Sequence, residues 1–305
     1  MVLGLGNSIT SLYTPGETAY TASASWDFDG LNDYINLGNS SNLKVTATDT
    51  SEGGGLTVSM WVKNDTWAYA SSVQTPVSAY HSATGGKGWQ TYFYSTSFKV
   101  VLDIAGGADP NSLITGWRGF AAADGSSGSP ARPLWRESGW HHISFTFDGR
   151  YFYFYVDGQL SASGSNTTDI GSDNNVMKYG SGSGNVDVMI GAEPNVLNSP
   201  DGGATWTPGT SVANQYWSGL INEVAIWDKA LDVDAMKEIF DAVDVDGSVL
   251  DLTKDSGDYD YSGDLIGLWR PSDGIDGTTA TNIANPGTHD GSIKNSLGTS
   301  SEVPT

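Results

Sequence analysis

Residues 140–160, WHHISFTFDGRYFYFYVDGQL, decide the fold, because they write a β-hairpin and then open a second turn at regular spacing. Ile143, Phe145 and Phe147 alternate with Ser144, Thr146 and Asp148, the period-two pattern of a strand with one buried face. Asp148-Gly149 follows at once. Gly tolerates positive φ and Asp can hydrogen-bond its own backbone, so the pair suits a tight turn. Tyr151 to Val156 returns as a second strand, and Asp157-Gly158 closes it with the same turn chemistry. An isolated hairpin is marginal in water, so two aromatic strands of this kind belong to a larger sheet.

Outward from the hairpin the same pattern recurs. Residues 24–37, ASWDFDGLNDYINL, read as two short strands around a turn at Asp29-Gly30. Leu56, Val58, Met60 and Val62 alternate with Thr57, Ser59, Trp61 and Lys63. Further strands are predicted at Trp89 to Tyr94, Phe98 to Ala105, Val186 to Ala192, Trp217 to Trp227 and Leu265 to Trp269. The Gly-, Ser-, Asn- and Pro-rich segments 64–88, 106–138, 161–185 and 193–215 read as loops longer than ordinary connections. One helix is predicted after Asp232, its cap, with Val233, Met236, Phe240 and Val243 forming one buried stripe against the sandwich. The chain thus divides into an N-terminal arm (1–21), an all-β body (22–243) and an acidic, turn-rich extension (244–305). Residues 271–305 are too polar for a core of their own and are expected to wrap the body or a neighbouring subunit.

Charge narrows the function. Against 14 Lys+Arg stand 35 Asp+Glu, a formal net charge of -21 over 305 residues. Nucleic acid and anionic membrane surfaces are recruited by basic patches, so neither is an expected partner. There is no cysteine, hence no disulfide, thiolate nucleophile or zinc-thiolate site. No stretch approaches the ~20 apolar residues of a membrane span. Met1 to Tyr13 has no basic leader region and does not read as a signal peptide.

Catalysis finds little support. A retaining glycosidase needs two carboxyl groups about 5–5.5 Å apart across one bond. The glutamates are Glu17, Glu52, Glu137, Glu193, Glu223, Glu238 and Glu302, and none shares a strand with another acid at alternating spacing across a cleft. Glu223 reads as a structural hydrogen-bond acceptor. His141 and His142 are adjacent on a strand and point to opposite faces, so they cannot act as a dyad. No Gly-rich phosphate loop joins a strand to a helix. Sugar contact is the open chemistry, since sugars stack on aromatic platforms beside a few fixed polar groups. Trp67, Trp89, Trp117, Trp135, Trp206 and Trp217 lie in or beside the long loops and are the candidates for glycan or subunit contact.

Taken in order, WDFDGLNDYINLG, LTVSMWVK, WHHISFTFDGRYFYFYVDGQL, IGAEP and YWSGLINEVAIWDKALDVDAMKEI resemble the laminin-G-like members of the concanavalin A-like lectin and glucanase superfamily. Asn222 stands where that pattern usually has Asp. The resemblance implies a jelly-roll sandwich of two antiparallel sheets with one short helix and long loops. It also implies calcium in an acidic loop at the sandwich rim, for which Asp29, Asp33, Glu193, Asn195 and Asp201 are the matching residues. DVDG at 244–247 lacks the third acid and terminal Glu of a helix-loop-helix calcium site. LIGLWRPSDGIDGTTATNIANPGTHDGSIKNS and the leader MVLGLGNSIT are similar to segments of laminin-G-like proteins in marine bacteriophage virions. That likeness implies a non-enzymatic structural protein on the virion surface, in a head decoration or at the tail, made in the host cytoplasm. Its partners would be other virion proteins and copies of itself, with host glycan as the alternative partner.

Overall fold

His141–Phe147 and Tyr151–Val156 pair antiparallel, with Phe145 opposite Phe154 and Phe147 opposite Phe152. In the computed structural model the described residues are 19–39, 43, 55–65, 70–81, 87–95, 97–105, 113–116, 139–149, 151–160, 168–169, 176–177, 187–195, 212–244, 246–273 and 277–305. The hairpin belongs to a sheet whose spatial order is Gln159–Leu160, Tyr151–Val156, His141–Phe147, Leu56–Asn64, Ser218–Trp227, Ser25–Asp29 and Gly298–Ser300. Leu265–Trp269 pairs with the second half of Ser218–Trp227. A second sheet runs Val176–Met177, Ser97–Ala105, Lys87–Ser95, Ala70–His81, Val188–Ile190, Tyr34–Gly38, Gly291–Lys294 and Thr279–Ala280. The chain is all-β, a jelly-roll sandwich with antiparallel sheets and, among the described residues, a single α-helix.

The period-two faces read in the sequence meet between the sheets. Val58, Met60, Val62, Ile143, Phe145 and Phe147 of one sheet enclose a core with Ile35, Val77, Trp89, Phe93 and Phe98 of the other. Each such side chain contributes about 1.5–3 kcal/mol by leaving water. The polar partners on the opposite face, Thr57, Ser59, Ser144 and Thr146, are buried as well. A second cluster covers them: Met236 and Ile239 of the helix join Leu250, Leu252, Tyr259 and Leu268 against Trp227, Ala225 and Tyr155. The first sheet is therefore covered on both faces.

The reading of the loops and of the helix is corrected, and the segments 106–138, 161–185 and 193–215 carry short paired strands at Leu113–Gly116, Thr168–Asp169, Val176–Met177, Glu193–Asn195 and Val212–Asn214. The segment 64–88 is not all loop: it carries Ala70–His81, a strand between Lys87–Ser95 and Val188–Ile190 in the second sheet. Its sequence, ASSVQTPVSAYH, hides the strand because Thr75 and Gln74 are buried by hydrogen bonding rather than by apolar contact. Pro76 sits where the register shifts, between Gln74 and Val77, and bulges are where a sheet accepts a residue without an N–H. The helix, Val233–Asp241, is capped by Asp232 as predicted, but its buried face is Ala235, Met236 and Ile239. Val233 is 46% exposed. It lies in the first turn, rotated away from the sheet, so the stripe is displaced around the helix from the predicted one.

The residues 25–29 and 34–38 do form strands, but the turn between them crosses from one sheet to the other. Gly298–Ser300 lies along the edge of Ser25–Asp29, and Gly291–Lys294 along Tyr34–Gly38. One C-terminal segment thus covers an edge of each sheet. Ala19–Thr21 pairs with Ser248–Leu250 beside this body. Among the described residues no helix is long and apolar enough to cross a membrane.

Candidate functional site

The sheet crossing gathers several strand ends at one rim. Ser218 pairs with Asp29, and Gly219 with both Phe28 and Asn64. The N–H of Trp217 donates to the Gly191 carbonyl at 2.9 Å. At Gly219, with φ +124, a Cβ would stand 2.2 Å from the Lys63 carbonyl oxygen. Only glycine permits this approach. The residues brought to the rim are Asp27, Asp29, Asp33, Tyr34, Asp65 and Tyr216.

Their electrostatics differ. Burial alone would raise the Asp29 carboxyl, but the N–H groups of Leu31, Asn32 and Asp33 together hold it below its ordinary value. Those of Leu31 and Asn32 donate to Asp29 Oδ1 at 2.8 and 3.1 Å, an Asp-closed turn. Asp33 is pushed up by burial and by the Asp29 and Asp27 charges, and its enclosed Oδ1 accepts no hydrogen bond. Burial and the Asp65 charge raise Asp27. Ser218 Oγ in turn donates to Asp65 Oδ2 at 2.9 Å.

Tyr34 and Tyr216 are half-buried, with ring centroids 6.4 Å apart and planes at 43°. Burial raises both hydroxyl pKa values, helped at Tyr216 by Asp29, so both remain neutral donors. Gln215 holds the approach to Tyr216: its carbonyl accepts from Thr75 N at 2.9 Å and its Oε1 from Gln90 Nε2 at 3.0 Å. Phenol donors, carboxylate acceptors and partly exposed tyrosines on a fixed frame suit a ligand rich in hydroxyl groups.

Of the sequence candidates, Trp89 and Trp217 are fully buried and cannot stack on a ligand. Trp89 joins the inter-sheet core, packed edge-on to Phe145 at 5.7 Å, and Trp217 anchors the segment that presents Tyr216. Their large apolar areas are worth more inside than on a loop. Trp67, Trp117, Trp135, Trp206 and Asp201 lie outside the described residues. Asp29 and Asp33 share the rim, while Glu193 is enclosed at the start of Glu193–Asn195, paired across to Asn214. Tyr34 and Tyr216 were not among the sequence candidates. Tyr34 was legible as a strand start after the Asp29-Gly30 turn, but its nearness to Tyr216 depends on the crossing.

The described acids do not by themselves make a calcium site. A hard cation wants six to eight oxygens, and no group of three described acids or histidines converges on one point. Asp29 Oδ1 is already engaged by its turn.

Two buried constellations resemble catalytic ones without matching their requirements. Ser59 Oγ and His142 Nε2 are 2.7 Å apart, but both residues are enclosed. Burial, opposed by Asp157, lowers the His142 pKa to about 4. Asp157 accepts from His142 N and meets His141 Nδ1, each at 2.9 Å, and so does not engage the His142 ring, whose Nδ1 has no hydrogen-bond partner. Glu223 sits at the bulge between Asn222 and Ala225 with φ +48, and burial pushes its pKa up to about 7 against the pull of Arg270. Arg270 Nη1 is 3.8 Å from Glu223 Oε2, and neither Glu223 oxygen makes a hydrogen bond. The residue is thus a buried charge partner rather than the predicted hydrogen-bond acceptor. Arg270 also donates from Nε to Asp273 Oδ2 at 2.9 Å and lies 3.5 Å over the Tyr20 ring, so it joins the arm, the central strand and the extension.

No curated protein sequence matches the chain. Similar solved structures include a Bacteroides ovatus protein to which carbohydrate binding is attributed, at 13% identity and TM-score 0.49, covering 92% of this chain and 60% of that one. Another is the heptameric SAP-like pentraxin of Limulus polyphemus, at 15% identity and TM-score 0.41, covering 73% and 84%. A third is the binding domain of botulinum neurotoxin serotype G, at 11% identity and TM-score 0.43, covering 73% and 46%. The chain spans 60% of the length of the first of these. The family model described as Concanavalin A-like lectin/glucanases superfamily matches residues 29–192, more than half of the 305 residues. Two packed antiparallel sheets, the aromatic hairpin and this match together establish that the chain belongs to the Laminin_G_3 family of the concanavalin A-like lectin/glucanases superfamily.

Proposed function

We propose that the chain is a non-enzymatic binding protein whose rim, at Tyr34, Tyr216, Asp29 and Asp33, contacts a glycan. The observation that carries this reading is the pair of half-buried tyrosines held beside two carboxyls on the strand crossing, Asp29 with its pKa lowered by backbone N–H groups and Asp33 with its pKa raised by burial. The two glutamates on the described strands, Glu193 and Glu223, are both enclosed, which supports binding over cleavage. A glycan array is the test: specific binding should fall at least about tenfold in Tyr34→Ala and Tyr216→Ala, as expected when a stacking ring is lost. Binding unchanged in both variants refutes the rim. Release of reducing ends from polysaccharide, abolished by Glu193→Gln or Glu223→Gln, refutes the non-enzymatic reading.

A structural role on the outside of a bacteriophage particle is the second reading. It is favoured by the likeness of residues 265–296 and 1–10 to virion proteins and by the charge of -21. Many copies, each docking weakly through loops to other virion proteins or to one another, would be held by avidity. Quantitative mass spectrometry of intact particles tests it. High copy number supports decoration, a few copies support an adhesin, and absence from the particle refutes it.

A further inference from the structure

Away from the rim, a cleft of about 370 Å³ opens between the hairpin and the helix, with Trp61, Trp140, His141, Asp157, Phe240 and Asp241 in its lining. That volume lies in the lower part of the range of small-ligand sites. Trp61 stands opposite His142 in the neighbouring strand, and Phe240 of the helix stacks on it with centroids 5.7 Å apart and planes at 18°. Trp140 is half-buried, and its enclosed Nε1 has no hydrogen-bond acceptor. Such a donor is costly to leave unmade.

The acids give the cleft its sign. Asp157, in the turn after Tyr151–Val156 with φ +50, accepts from His142 N and meets His141 Nδ1, each at 2.9 Å. An ionised carboxylate has about four lone-pair sites, so Asp157 retains acceptor capacity. Asp241 is paired with the exposed Lys237 on the helix surface, but among the described residues the lining includes no Lys or Arg. The net charge of -21 extends an attractive field for cations beyond the cleft.

Aromatic rings beside carboxylates select an ammonium group on an apolar stem. The unused Trp140 N–H asks in addition for an acceptor oxygen near that stem. A lysine residue in a peptide has both, as side-chain ammonium and backbone carbonyl. A neutral sugar would satisfy the N–H but bring no cation to the remaining acceptor sites of the carboxylates.

We propose that this cleft docks a lysine side chain of a partner polypeptide. The ammonium lies toward Asp157 and Asp241, the stem lies on Trp140, and a backbone carbonyl of the partner accepts from Trp140 Nε1. The site is independent of the rim and does not rest on its reading.

The test is titration of the intact chain with Nα-acetyl-lysine methylamide, followed by tryptophan fluorescence and amide shifts. Nα-acetyl-norleucine methylamide, which lacks the ammonium, and methyl glucoside are titrated alongside. The lysine probe should saturate, with the norleucine probe weaker by ~10-fold, since charge and cation–π attraction are lost together. Added salt and Asp241→Asn should each weaken it several-fold, and Trp140→Phe, which keeps a ring and removes the N–H, should do likewise. Asp241 and Trp140 are preferred to Asp157, whose oxygens also hold the hairpin. Equal binding of the norleucine probe, saturation by the glucoside instead, or no saturation by lysine in protein with an unchanged thermal melt overturns the proposal.

Discussion

Glu223 illustrates how one residue can be a cost to the fold that its surroundings offset. Its carboxyl is enclosed, carries left-handed backbone and titrates at about 7 instead of the ordinary 4.5. Because the folded value is raised, the folded state binds the proton more tightly than the unfolded chain. The associated stability is complete below pH 4.5 and is lost as pH rises towards 7. The loss is about 3 kcal/mol for a shift of this size. Thermal melts should therefore show Glu223→Gln gaining on the parent protein between pH 5 and 8, and an equal slope in both proteins would contradict the assignment. Arg270 is the complement. Replacing it with Met leaves Glu223, Asp251 and Asp273 without their shared cation, and breaking a buried pair costs about 3–5 kcal/mol, measurable by urea denaturation at pH 8.

At the scale of the element, the helix separates what local sequence encodes from what packing adds. Asp232 was legible as a cap, and its Oδ1 accepts from Asp234 N at 3.1 Å and Ala235 N at 2.9 Å. Asp232→Ala should cost about 1 kcal/mol. The buried stripe was misread by the same reasoning, since spacing alone admits more than one apolar face. Met236→Ala should cost about 2–5 kcal/mol, whereas Val233→Ala should stay within about 0.5 kcal/mol. Equal effects in denaturant titrations would restore the predicted stripe. The strand Ala70–His81 failed differently. Its inward Thr75 is satisfied by Gln90 at 2.7 Å, and Thr91 Oγ1 donates to the Val77 carbonyl at 2.8 Å. Polar burial of this kind depends on partners far along the chain and leaves no alternation to read.

For the whole molecule, the extension matters because it lies on both sheets. Deleting residues 277–305 removes Gly291–Lys294 from Tyr34–Gly38 and Gly298–Ser300 from Ser25–Asp29. It also removes Asn282, whose side chain accepts from Leu268 N at 3.0 Å and donates to the carbonyls of Ile266 and Thr288. The truncated chain should expose two unpaired strand edges and self-associate, as light scattering would detect. A monomeric truncation with an unchanged melting temperature would show that the extension is dispensable.

The sequence by itself determined the sheets. Alternation in 56–63 and 141–156, with an Asp-Gly turn inside the hairpin, leaves one geometry that turns every second side chain toward the other sheet; that the alternate face is buried too was decided by the helix and the extension. It also determined the sign of the surface, from 35 acids against 14 bases. Only the tertiary structure decided that Trp89 and Trp217 are core, that Tyr34 meets Tyr216, and that Glu223 faces Arg270. The physical reason is range: turn and strand preferences act between neighbours along the chain, whereas enclosure and ion pairing depend on residues that only the crossing of the two sheets brings together.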